Sequence, residues 1–312
     1  MAVDAQLQKL SRELFLAAVA PPSIPGWVIE RTALALEERV VNEGDLLFKA
    51  GDPPAYIYFM REGRVRFTLE GGAPITFVGR WVFGGMEVAT DRPRRRTATA
   101  LASFRIHLLP ADAWLELVED SFEIARSMMA NLARTLLRLE EAFGTDATDE
   151  VEVMPLLPRH DGALSLVERL TLLADVPALR GAGIQTLADL AALTEEVVFE
   201  PGDVVMVRGE TPRRGYVVFD GEVEGFRSSP DIVRRFGPGT LVLGATALAE
   251  IPMPWGARAR TRVRALSFRL EDSIDLMEEH FDMVRSLLAE LSTDRELLVD
   301  KVAAKAGELV LE

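Results

Sequence analysis

The chain has 312 residues with no cysteine, three histidines and a formal net charge of −14 at pH 7, and 48% of its residues are hydrophobic against 27% charged. That length suits two ordinary globular domains, and the balance is that of a folded chain. Disulfides, thiolate catalysis and cysteine zinc sites are excluded, and a strongly acidic chain repels phosphate backbones, so no nucleic-acid partner is expected.

The first twenty residues carry Asp4 and Glu13 and only a short apolar run, unlike a secretory leader. No apolar stretch approaches the ~20 residues that span a bilayer. With the missing cysteines this predicts a cytoplasmic protein without a membrane partner. A helical segment is expected around Leu10, Leu14 and Ala17-Ala18. Short strands rich in β-branched and aromatic residues follow: Asp45 to Phe48, Tyr56 to Met60, Arg64 to Leu69 and Ile75 to Val78. Gly51-Asp52 and Glu62-Gly63 punctuate them as turns. Leu115, Val118, Phe122, Ala125, Met129, Leu132, Leu136, Leu139 and Phe143 then step by three and four, which predicts one long amphipathic helix. The stripe suits either burial on its own roll or a seam with a second copy.

A linker of acidic residues and prolines separates this from a second set of the same signals. A helix is expected at Leu166, Leu170 and Leu173-Ala174, and a closing helix at Ile274, Met277, Phe281, Val284, Leu288 and Leu291. The likeness is also literal. Glu37-Glu38 to Gly44-Asp45 returns as Glu195-Glu196 to Gly202-Asp203, 158 positions later. The same offset carries Gly51-Asp52 onto Gly209-Glu210, Tyr58 onto Tyr216 and Gly63-Arg64-Val65 onto Gly221-Glu222-Val223. The chain therefore reads as a domain-sized duplication, with domain 1 at 1–145, a linker at 146–162 and domain 2 at 163–312. The expected class is α+β, mainly β: two jelly-roll-like β-rolls, each flanked by N-terminal helices and a long C-terminal amphipathic helix.

These landmarks resemble the cyclic-nucleotide-binding domain family, over nearly the whole chain and twice. The resemblance implies a phosphate-binding cassette in each roll, in which a glutamate accepts from the ribose hydroxyl and an arginine grips the cyclic phosphate, aided by a helix N-terminus. Copy one offers Gly84, Gly85, Met86, Arg94, Arg95 and Thr97. Arg94 falls on the phosphate arginine and Thr97 on the hydroxyl position, which leaves cAMP or cGMP conceivable there. Gly85 stands where the glutamate belongs, and Glu87, two places late, points in a different direction on a helix. Copy two offers Gly244, Ala245, Thr246 and Trp255. The glutamate position is Ala245, and the arginine position is Trp255 when aligned on proline or Pro254 when aligned on glycine. Each missing charged contact removes roughly 1.5–3 kcal/mol, about 10- to 100-fold in affinity. Copy two is therefore expected not to bind cyclic nucleotide, and copy one to bind it weakly or not at all.

The remaining chemistry is sparse. His107, His160 and His280 stand apart from any second ligand at metal spacing, and no nucleophile elbow, Walker loop or dinucleotide fingerprint occurs, so neither an enzyme nor a metal is expected. Arg258, Arg260, Arg262 and Arg264 alternate and predict a strand with one solvated or carboxylate-paired face. Residues 1–36 lack the adjacent arginines of a kinase pseudosubstrate, and the residues after 300 are too few for a helix-turn-helix. The expected role is a regulatory or adaptor protein whose partner is another protein or a second copy, met through the long helices. A cyclic-nucleotide sensor is the alternative.

Overall fold

The computed structural model describes residues 12, 13, 16, 24–143, 162–226, 232–242, 246–249 and 251–311. The predicted first helix falls largely outside them, as do the linker and the pair Gly244-Ala245. The chain packs as two compact units, residues 1–128 with 299–312, and residues 129–298. The repeat itself divides at the linker, whereas the packing divides within the last helix of each copy.

In unit 1, α1 (Gly26–Ala35) leads into β1 (Glu37–Val41), β2 (Leu46–Phe48), β3 (Tyr56–Met60), β4 (Arg64–Thr68), β5 (Ile75–Val78) and β6 (Trp81–Phe83). A short helix α2 (Gly85–Thr90) precedes β7 (Thr97–Ala100) and β8 (Phe104–Pro110), and α3 (Ala111–Glu119) and α4 (Phe122–Phe143) follow. The strands form two sheets, in the orders β1-β8-β3-β6 and β17-β5-β4-β7-β2, where β17 is Leu309–Leu311. β3 shows how sequence sets the layers. In the run Tyr56-Ile57-Tyr58-Phe59-Met60 successive side chains alternate faces. Tyr58 and Met60 enter the core between the sheets with Phe48, Val65, Phe83 and Ile106. Ile57 and Phe59 pack outward against Ala33 and Leu36, beside α1 and α3. An uninterrupted apolar strand is what burial on both faces demands.

Unit 2 repeats the plan. α5 (Leu166–Asp175), a 3₁₀ turn at Pro177–Leu179 and α6 (Ile184–Leu193) precede β9 (Glu195–Phe199), β10 (Val204–Met206), β11 (Arg214–Asp220), β12 (Val223–Phe226), β13 (Ile232–Phe236) and β14 (Leu241–Val242). Then come α7 (Thr246–Ala249), β15 (Gly256–Ala259), β16 (Val263–Arg269), α8 (Leu270–Glu279) and α9 (Phe281–Ala306). Its sheets run β14-β11-β16-β9 and β10-β15-β12-β13. α5 starts with a full capping box, Ser165 and Glu168 each accepting from the other's backbone N–H.

The repeated Gly-Asp pairs have one mechanical job. Gly44 and Gly202 adopt φ of 87° and 95°, a region open to glycine at little cost. Asp45 accepts from the Asn42 N–H, and Asp203 from the Glu200 N–H, each at 2.8 Å. The two glycine N–H groups then donate to Ala100 and Ala259, which closes β1–β2 and β9–β10 onto the strand after the cassette.

Each closing helix was expected to be continuous, and each is broken. α3 ends at Asp120, and α4 restarts from Ser121, whose hydroxyl bonds the Glu123 carboxylate at 2.7 Å while its carbonyl accepts from Ile124. α8 and α9 part at His280, an extended residue with φ −128° and ψ 89°. Ile124, Ala125, Met129, Leu132, Ala133 and Leu136 of α4 are buried, while Phe122 and Leu139 of the same stripe are half-buried.

Gly63 separates sterics from backbone strain. Its φ is 140°, and a Cβ there would lie 2.7 Å from the Phe104 ring, whereas a Cβ on Gly44 meets nothing within 4 Å. Gly63→Ala is expected to cost about 2–4 kcal/mol and Gly44→Ala about 1 kcal/mol. Urea unfolding of the two variants checks the order.

Candidate functional site

The cassette of unit 1 is α2 and the loop from Asp91 to Arg96. Gly84 precedes the helix at φ 89°, and Asp91 ends it in the left-handed region at φ 51°. The loop is anchored by the second Gly-Asp turn. Gly51 N–H donates to the Arg94 carbonyl at 2.7 Å and Arg94 N–H to the Asp52 carbonyl at 2.8 Å. This pair fixes where the Arg94 side chain starts.

That side chain runs inward. Arg94 is 2% exposed. Nη1 donates to the Gly84 carbonyl at 2.9 Å and lies 3.4 Å from the Glu87 carboxylate, while Nη2 donates to the Tyr56 carbonyl. The guanidinium sits over the rings of Phe48 and Tyr58, with its carbon 4.7 and 5.7 Å from their centroids. A cation among aromatic faces gains from the ring quadrupoles. Desolvation lowers the Arg94 pKa, and Glu87 opposes that effect first. Glu87, two places after Gly85, thus serves as the counter-ion of Arg94.

The other predicted residues fall around it. A Cβ on Gly84 would lie 2.6 Å from Arg94 Nη1, so glycine there admits the guanidinium. Gly85 opens α2, and a Cβ on it meets only Ile57 at 3.6 Å. The Met86 carbonyl accepts from Thr90. Thr97 Oγ1 accepts from the Ala50 N–H at 3.0 Å, which holds β2 to β7. Arg95 and Arg96 both donate to Asp300. The interior of the roll is filled with rings: Tyr58 stacks on Phe83 at 5.4 Å, and Phe67 and Phe77 pack on the same Phe83.

The model of the cyclic nucleotide-binding domain matches residues 38–121 and again 196–280, together just over half of the chain. The chain belongs to the cyclic nucleotide-binding domain family. No curated protein matches it. Among solved structures it is similar to the regulatory domain of Toxoplasma gondii protein kinase A with cAMP, at 18% identity, 92% of this chain, 97% of that one and a TM-score of 0.35. It is also similar to the regulatory subunit of a cAMP-independent protein kinase A from Trypanosoma brucei, at 17% identity, 95% and 96% coverage and a TM-score of 0.36. The corresponding subunit from Trypanosoma cruzi, bound to guanosine, gives 18%, 96% and 95% coverage and 0.35. Membership rests on the two family-model matches.

The second cyclic nucleotide-binding domain corrects the sequence alignment. Gly209 N–H donates to the Met253 carbonyl and Met253 N–H to the Glu210 carbonyl, each at 2.9 Å. This is the bond pair that flanks Arg94, so the equivalent of Arg94 is Met253, not Pro254 or Trp255. The offset is 159 there, and also between Ala100 and Ala259. One extra residue therefore lies between the Gly63/Gly221 turn and this point, within the part where the two copies share no motif. Met253 is 2% exposed in the roll core. Trp255 is buried beside it and packs on Phe236 with centroids 5.5 Å apart. Gly244 and Ala245 lie outside the described residues, and Thr246 opens α7.

The alternating arginines find carboxylates, but they do not share one strand: Arg258 is in β15, Arg264 is in β16, and Arg260 and Arg262 lie between them. Arg258 meets Glu224, Arg260 meets Glu222, Arg262 meets Glu200 and Arg264 meets Glu196. A cavity of about 300 Å³ in unit 2 is lined by residues such as Leu179, Leu241, Trp255, Met277 and Leu291, with no lysine or arginine, so it offers no grip on a phosphate. Among the described residues no cluster suits a metal ion, and no helix is long and apolar enough to cross a membrane.

Two outcomes follow for the Arg94 region. Arg94→Ala strands two partly buried carbonyls and the Glu87 carboxylate, and is expected to cost about 2–4 kcal/mol in urea unfolding. Arg94→Met with Glu87→Gln, which imitates domain 2, is expected to regain at least about 1 kcal/mol of that. Tyr58, buried under the guanidinium, has its phenol pushed above the ordinary 10.0 by desolvation. The unfolded chain therefore loses that proton first, and stability falls as pH rises past 10 until the folded phenol also ionises. Tyr58→Phe should flatten the alkaline limb of a stability–pH curve.

Proposed function

We propose that this chain is a non-enzymatic regulatory or adaptor protein. Its two cyclic nucleotide-binding domains act through protein–protein contacts, and their nucleotide binding is weakened or lost. The observation that carries this reading is the inward Arg94, whose terminal nitrogens are engaged by Gly84, Tyr56 and Glu87 of its own chain. Met253 at the equivalent place in domain 2 supports it, because a thioether offers a phosphate no charge. Exposed Leu166, Val167 and Ile184, at the starts of the packed helices α5 and α6, are apolar groups of the kind that mark contact surfaces.

Isothermal titration with cAMP and with cGMP tests the reading. The wild-type chain is expected to give flat titrations up to millimolar ligand. Gly85→Glu, which restores the ribose acceptor at a position with room for a side chain, is expected to stay at least as weak as millimolar while Arg94 is held by Glu87. Saturable micromolar binding by the wild type would overturn the proposal and make domain 1 a cyclic-nucleotide sensor.

A further inference from the structure

We infer that unit 2 holds a binding site for an uncharged apolar small molecule, in the cavity of about 300 Å³ between β11, β14 and the helices α6 to α9. The inference goes beyond the adaptor reading and does not depend on it. Every lining residue falls between 136 and 298, so the cavity lies wholly within unit 2. Close-packed interiors leave few voids larger than a water molecule. Here buried side chains from several elements surround the space instead of closing it: Val217, Trp255 and Phe268 from the roll, Leu190 of α6, Met277 of α8 and Leu291 of α9.

The lining decides what the occupant is. Its two hydroxyls already donate within the chain, Thr240 Oγ1 to the Gly237 carbonyl and Ser273 Oγ to the Leu270 carbonyl at 2.8 Å. Its charged groups, Glu290 and Asp294, are both acidic and stand one turn apart on α9. A carboxylate gives an anion no hold. By the offset of 159, Trp255 stands where domain 1 carries Arg96, so the wall is apolar where the other copy has a cation. Recognition therefore rests on contact area and shape. An apolar cavity of ~150 Å³ stays dry and admits benzene, so twice that volume suits about two fused rings or a chain of about ten carbons. Met277 and Met283 let the wall re-pack around either. The occupant would touch Leu248 of α7 and Leu287 of α9 together. It would thus link the short helix of the cassette region to the closing helix, an input that needs no phosphate contact.

The test titrates the full chain with N-phenyl-1-naphthylamine, a neutral probe whose fluorescence rises in apolar surroundings. The wild type is expected to saturate at about one probe per chain, with a Kd of about 1–50 μM. Ala178→Leu and Met277→Trp each enlarge a lining side chain, and are expected to bind the probe at least about tenfold more weakly. Their urea midpoints should be no lower than that of the wild type, because filling a cavity stabilises. Two variants on separate elements keep the test decisive if one fails to fold. Ile184→Ser removes an exposed apolar group outside the lining and should match the wild type. Displacement of the probe by naphthalene supports rings as the ligand chemistry, and displacement by 1-decanol supports chains. Absence of saturation in the wild type overturns the inference, as does undiminished binding by the folded enlarged variants. A loss as large in Ile184→Ser overturns it too, since the probe then reports the exposed surface. Displacement by cAMP overturns it by placing the probe in the nucleotide pocket. Binding of cAMP that leaves the probe in place bears on the proposed function alone.

Discussion

The placement of Arg94 depends on a backbone constraint that both copies share. The second Gly-Asp/Glu turn exchanges two hydrogen bonds with the residue that heads into the post-cassette strand. That residue must therefore point its side chain into the roll. Once there, a charge needs both a counter-ion and acceptors, because an isolated buried guanidinium is far too costly. Domain 1 answers with Glu87, two carbonyls and two aromatic faces. Domain 2 answers by having no charge at all: Met253 is flexible enough to fill an irregular core position. The aromatic interior of one roll and the Met253–Trp255–Phe236 packing of the other follow from these two answers.

Much of this architecture was legible in the residues. The Gly-Asp landmarks recur at one offset because the turn needs a positive φ and a carboxylate one step later, a requirement written in two adjacent letters. Strand β3 announced burial on both faces through five consecutive apolar residues. The alternating arginines from Arg258 to Arg264 found carboxylates, one of the two outcomes expected of them, though they span β15, a turn and β16 rather than one strand. What escaped was any feature set by long-range geometry. The breaks at Ser121 and His280 interrupt stripes whose apolar period continues across them, so periodicity alone could not show them.

The site was legible in composition and not in orientation. Gly85 in place of glutamate and the arginine-rich loop were plain, and so was the misplacement of Glu87. That Glu87 turns to Arg94 depends on α2 lying over β3, and no spacing rule encodes that. The equivalence of Met253 was one of several open in the letters: Pro93-Arg94 aligned on Pro252-Met253 gives it, whereas Pro254 gives Trp255 and Gly244 gives Pro254. The chain chooses among them by backbone bonds to a turn some forty residues away. A signal did exist in the pair Ala98-Ala100 and Ala257-Ala259, small buried residues whose offset of 159 marks the insertion.

The two domains also show why a retained arginine is weak evidence for a retained ligand. For a cyclic phosphate to use Arg94, the guanidinium must first leave Gly84, Tyr56 and Glu87. If that release costs about 2–4 kcal/mol, the competent state is populated at roughly one part in 30 to one in 1,000, and the apparent affinity falls by the same factor. The missing glutamate at Gly85 removes about another 10- to 100-fold. On the proposed function, that product would take a micromolar site to about millimolar or beyond without any change at Arg94 itself. Conversely, Met253 at the equivalent place in domain 2 leaves no buried charge to compensate, and a well-packed apolar side chain in place of a buried ion pair is often neutral or stabilising. An arginine with its counter-ion in one copy and a methionine in the other are two ways to meet the same packing constraint, which the turn imposes on both.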